Sequence, residues 1–109
     1  MSDKSPELIV KLNITKDGDR LKFTIPNNVT GDAGPYFDVA SSYVGTPEIP
    51  KELQPKTGPC RLTFVNAENI ATVKLELLSA ENNSVIATYQ GGVEGAKAEG
   101  TATGTYTQA

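Results

Sequence analysis

Residues 61–90 read RLTFVNAENIATVKLELLSAENNSVIATYQ, and their alternation decides the fold class. Ala71, Val73, Leu75 and Leu77 alternate with Thr72, Lys74, Glu76 and Leu78. A period of two with polar residues on one face predicts a half-buried strand. A helix over the same residues would place Glu76 on the apolar face beside Leu77. Upstream, Leu62 and Phe64 alternate with Arg61, Thr63 and Val65. Downstream, residues 84–90 are rich in β-branched side chains. Their inward face is open between Val85, Ala87 and Tyr89 on one side and Ile86 with Thr88 on the other.

The two connections, around Asn66 to Asn69 and Ala80 to Ser84, resemble each other. Asn accepts left-handed backbone and bonds its own main chain, so both read as tight reversals. The likeness is shared turn chemistry rather than an internal repeat. The expectation is a three-stranded antiparallel meander joined by two hairpin turns.

Working outward, Leu8, Val10, Leu12 and Ile14 share one face of a strand. Lys16-Asp17-Gly18-Asp19 then supplies a hairpin turn, because Asp-Gly readily adopts positive φ. Residues 20–25 return with Leu21, Phe23 and Ile25 inward. Residues 26–35, PNNVTGDAGP, read as a long loop, since Pro26 cannot donate to a ladder. A further strand is expected over residues 36–44, irregular at Ser41-Ser42. Residues 45–59 hold Pro47, Pro50, Pro55 and Pro59 and predict an ordered polyproline-like crossover with one helical turn at 51–54. Residues 1–6 read as a frayed leader and residues 91–100, GGVEGAKAEG, as a flexible Gly-rich loop. The terminal strand, 101–108, places Thr101, Thr103, Thr105 and Thr107 on one face. The sum is an all-β single domain over residues 1–109: a two-sheet antiparallel β-sandwich of about seven strands with Greek-key-like wiring.

Composition narrows the chemistry. The 109 residues include no histidine and no tryptophan. Without His the commonest general base and transition-metal ligand are missing, and Ser-His-Asp or Cys-His nucleophile machinery cannot be built. No catalytic residue, metal site or cofactor is expected, and the protein is read as not an enzyme. The net charge of -3, with Lys and Arg scattered singly, disfavours a nucleic-acid partner. No apolar run is long enough to insert in a membrane. Lys11 and Asn13 interrupt the apolar stretch near the N-terminus, so no signal peptide is read and a cytoplasmic chain is expected if the chain is complete as given. The single Cys60 allows no internal disulfide and reads as a small buried hydrophobe rather than a reactive thiol.

Several constellations offer chemistry. Asp17 with Asp19, and Asp32 with Asp38, could present oxygens to calcium, but the spacing lacks the calcium-loop pattern and solvated turn carboxylates explain them. The triplets beginning at Asn13, Asn28 and Asn82 match a glycosylation pattern by chance. Asn27, Asn28, Asp32, Tyr36 and Asp38 together suggest a ligand-binding loop: amides and carboxylates for hydroxyls, a ring for an apolar face. The Thr row of the last strand could be a flat recognition face, although solvent exposure explains it as well.

The reading adopted is a non-catalytic binding module presenting loops at one end of the sandwich to a glycan or protein ligand. The alternative is a structural subunit of an assembly, a phage or virus particle or a fibre, forming a homo-oligomer by exchange of the C-terminal strand.

Overall fold

The computed structural model describes residues 9–26, 28–50, 52, 53 and 55–108. Within them the alternation extends into eight strands. These are β1 (Val10–Asp17), β2 (Arg20–Ile25), β3 (Val29–Gly34), β4 (Ser42–Glu48), β5 (Thr57–Ala67), β6 (Ile70–Leu78), β7 (Val85–Glu94) and β8 (Gly100–Gln108). They are all antiparallel to their neighbours and close into one barrel in the order β1-β2-β3-β8-β5-β6-β7-β4. The expected sandwich of about seven strands is therefore wrong: every strand has a neighbour on both sides, and no gap divides two sheets.

Two misread segments account for the difference. The supposed loop over residues 26–35 contains β3, whose inward Val29 and Ala33 are buried. Gly31 and Gly34 disguise it, because glycine ordinarily weakens a strand. The supposed strand over 36–44 is a connection as far as Ser41, and β4 begins at Ser42 and runs on through Gly45 and Pro47. Proline fits there because, among the described residues, the β4 register with β1 stops at Val10 opposite Gly45. Beyond that point Pro47 has a ladder partner only on β7, namely Tyr89. Pro59 is placed alike: it faces Thr105 on β8, while the β6 register starts at Cys60. β7 also runs on through Gly91 and Gly92 to Glu94, so the Gly-rich connection is only residues 95–99.

The meander β5-β6-β7 is as expected. The inward side of β7 resolves to Ala87 and Tyr89. Val85 is 47% exposed because a register shift at Leu77/Leu78 turns it outward. The Greek-key wiring is also present, and it occurs twice. Strands β4-β1-β2-β3 form one key and β8-β5-β6-β7 another. Advancing every strand number by four leaves the cyclic order unchanged, so the topology has a pseudo-two-fold axis. The resemblance of the two meander turns is unrelated to this symmetry, since both lie in the second key.

The keys meet at two seams, β3 against β8 and β7 against β4. Each seam brings backbones together at a glycine. A Cβ on Gly104 would fall on the carbonyl oxygen of Asp32, and one on Gly45 would fall on that of Gln90.

Large side chains occupy the interior. Tyr43, Tyr89, Tyr106, Phe23 and Phe64 are its largest fully buried side chains. An eight-stranded barrel is just wide enough for its side chains to fill. Outward positions are dominated by threonine and charged residues, and every threonine lies in a strand with none buried. A membrane-spanning barrel carries an apolar band outside instead. Among the described residues no helix is long and apolar enough to cross a membrane.

Both ends are closed by connections. At one end Phe37 packs edge-on against Phe64, with ring centroids 5.4 Å apart, and Ala98 N–H donates to Asn66 Oδ1 at 2.8 Å. At the other, the β4–β5 crossover seats Leu53 in the barrel mouth. The buried Gln108 holds it there: its Oε1 accepts from Leu53 N–H at 2.6 Å and its Nε2 donates to Pro50 O at 2.9 Å. The helical turn expected at 51–54 includes Lys51 and Gln54, which lie outside the described residues, as does the leader.

Candidate functional site

The five residues expected to form one binding loop do not converge. Asn28 belongs to the β2–β3 turn, where its N–H donates to Ile25 O at 3.0 Å. Tyr36 and Asp38 follow β3 at its other end. The six residues of β3 separate them by about 20 Å. Asp32 faces outward near the middle of that strand. Asn27 lies outside the described residues. β3 sends its flanking residues to opposite rims, Asn28 to one and Tyr36 with Asp38 to the other.

A different surface does converge. Across β1, β2, β3 and β8 the outer face sinks into an open hollow of about 510 Å³. Its polar lining comes in two rows that cross the strands. Thr24, Thr30 and Thr107 are successive cross-strand partners in one row. Thr15, Lys22, Asp32 and Thr105 are successive partners in the other. Phe23 and Gly31 underlie them. Strand alternation puts these side chains outside, since Leu21, Phe23, Ile25, Val29, Ala33 and Tyr106 take the inside positions of the same strands. The ladder then fixes their spacing at about 4.8 Å from strand to strand.

The charges in the hollow are weakly engaged. Asp32 Oδ1 lies 3.4 Å from Arg20 Nη2, and Lys22 Nζ lies 4.0 Å from Asp17 Oδ2, all with largely exposed side chains. Exposed pairs of this kind contribute about 0–1 kcal/mol, so a ligand displaces them at little cost.

A smaller hollow of about 290 Å³ adjoins the first and shares Thr15 with it. Tyr36, Lys16 and Ser41 line it over Ile14, Leu21 and Val39. The Lys16 ammonium sits 5.0 Å from the centre of the Tyr36 ring, a cation–π contact. The Tyr36 hydroxyl donates to Asp38 Oδ1 at 3.3 Å. Desolvation, then the hydrogen bond and charge of Asp38, raise the Tyr36 pKa above its ordinary value, so the phenol stays a donor at neutral pH.

Of the aspartates considered for calcium, Asp17 is near Lys22, Asp32 is near Arg20, and Asp38 accepts from Tyr36. Among the described residues no group of three or more metal-ligating side chains forms.

Cys60 is buried in the core. Burial, reinforced by the Asp32 charge, pushes its thiol up to about 12. The thiol is therefore expected to resist Ellman's reagent in the native protein below pH 9 and to react at once on unfolding. Tyr89 is also pushed up to about 12 by burial. Both are acids kept protonated by the native state. Their contribution to stability is complete below the unfolded-state pKa values, 9.0 for the thiol and 10.0 for the phenol. It is lost as pH rises from there towards about 12, at about 1.4 kcal/mol per pH unit for each group. The urea midpoint should fall steadily from about pH 9 upward, and Cys60→Ala should delay the onset towards pH 10. A midpoint flat to pH 11 would show that these groups are not desolvated.

Sequence reasoning missed Thr15, Lys22, Thr24 and Thr30 as site residues. Thr24 and Lys22 were legible as outward positions, and the Thr row of β8 as a candidate face. Their union required knowing that β8 lies beside β3. Comparison with protein-family models, curated proteins and solved structures finds no match to this chain.

Proposed function

We propose that the chain is a non-catalytic binding module whose ligand surface is the outer face of β1, β2, β3 and β8. The observation that carries this reading is the 510 Å³ hollow lined by five threonine hydroxyls, one ammonium and one carboxylate. These groups stand on paired strands rather than loops, so little ordering entropy is lost when they engage a ligand. The absence of histidine from the sequence and the high pKa of the Cys60 thiol argue against nucleophilic catalysis. Glycans and proteins are both ligand classes that such a face can take.

The alternative is a structural subunit assembled by exchange of the C-terminal strand. Within this chain β8 is bonded on both edges, to β3 and β5, and exchange would supply the same two ladders from a second copy.

The test uses a glycan array and a displayed peptide library, each probed with the native chain and with Thr30→Arg/Thr107→Arg. Arginine at these outward positions fills the hollow without entering the core. A ligand from either collection whose binding drops at least about tenfold in the variant supports the reading. A ligand retained unchanged moves the site elsewhere, and no ligand in either collection overturns the binding function.

A further inference from the structure

We infer that this face takes an uncharged, linear glycan lying across the strands, an inference that rests on the binding reading above. Charge is the first argument. Lys22 and Asp32 are the only charged side chains among the residues lining the hollow, and they cancel. A polyanion meets no net attraction there and is repelled by a chain of net charge -3.

Apolar anchors are the second. Protein interfaces centre on buried aromatic or aliphatic anchors. The exposed large hydrophobics among the described residues are Ile9, Val44, Val65, Ile70 and Val85, and none lines the hollow. Threonine matches a sugar instead. Its hydroxyl both donates and accepts, as each sugar hydroxyl does, and its methyl meets the C–H face of the ring. Being β-branched it holds few rotamers, so fixing it costs little entropy.

Direction is the third argument. The hydroxyl row does not stop at the hollow. Asn13 is the partner of Thr24 on β1, and Thr57 is the partner of Thr107 on β5. Asn13, Thr24, Thr30, Thr107 and Thr57 therefore form an uncharged polar row over five strands. At the ladder spacing the path along the curved outer face is about 19 Å, several sugar rings rather than one. The open shape also suits a chain that enters and leaves. An open row of repeated weak contacts makes affinity grow with chain length.

The experiment is an array of linear neutral gluco-, manno-, xylo- and galacto-oligosaccharides from disaccharide to hexasaccharide, with sulfated and uronic counterparts. The expected result is binding confined to neutral chains, tightening by about tenfold or more from disaccharide to hexasaccharide. Thr30→Val/Thr107→Val should weaken the hexasaccharide by about tenfold, with melting temperature unchanged, since valine fits an outward strand position as well as threonine. Preference for charged chains, affinity independent of length, or full binding by the valine variant overturns the inference. A peptide ligand lost in Thr30→Arg/Thr107→Arg, with no glycan bound, overturns the glycan and leaves the face standing. No ligand of either kind removes both.

Discussion

A chain stopped after Glu94 is expected not to fold. It loses β8, which pairs with β3 from Val29 to Gly34 and with β5 from Thr57 to Phe64. Both neighbours would be left with bare edges, a state prone to sheet-to-sheet aggregation. Tyr106, fully buried, and Ala102 leave the core, and Gln108 no longer holds the β4–β5 crossover. Removing one large buried aromatic alone costs about 3–5 kcal/mol. Domains of this size are stable by only about 5–15 kcal/mol, so the aromatic, fourteen registered positions and the crossover clasp together exceed what is available. The amide NMR spectrum should collapse to poor dispersion, and near-ultraviolet circular dichroism should vanish. A well-dispersed, cooperative truncated chain would mean that β8 is an accessory strand and the barrel is not closed by it.

Gly45→Val and Gly104→Val are expected to be nearly as damaging, for a reason specific to the seams. In each, the new Cβ falls on a backbone oxygen, Gln90 O or Asp32 O, and a ladder backbone cannot swing aside as a side chain can. The seam must open, which adds lost ladder bonds at about 1 kcal/mol each to overpacking of about 1–3 kcal/mol. A loss of about 3 kcal/mol or more is expected at either site, read as a fall in urea midpoint. Gly18→Asn is the control: φ there is +65°, nothing lies within 4 Å, and Asn tolerates that backbone. It should cost about 0.5 kcal/mol or less. Equal losses at Gly45 and Gly104 are expected from the pseudo-two-fold relation of the seams. Near-native stability of both variants would refute the close approach.

The strands with clean alternation were readable residue by residue. Leu21, Phe23 and Ile25 against Lys22 and Thr24, or Val73, Leu75 and Leu77 against Thr72 and Lys74, leave one solution. β3 and β4 were not readable because Gly31, Gly34, Gly45 and Pro47 carry the ordinary marks of loops. Their tolerance comes from the partners: Gly45 is needed where β7 approaches, and among the described residues Pro47 has a ladder partner only on β7. The candidate site shared this fate. Asp32 was found, but its companions were sought next to it in sequence, whereas a sheet assembles them from neighbouring strands.

By itself the sequence determined an antiparallel all-β chain, the β5-β6-β7 meander, a buried Cys60 and the absence of histidine, because these depend on local periodicity and residue type. Only the tertiary structure decided that the sheet closes, that Tyr36 and Asn28 part to opposite rims, and that Thr24, Thr30 and Thr107 stand in one row. Closure depends on which strand edges find each other across most of the chain, as β3 finds β8. Alternation specifies what each strand buries and is silent about its neighbour.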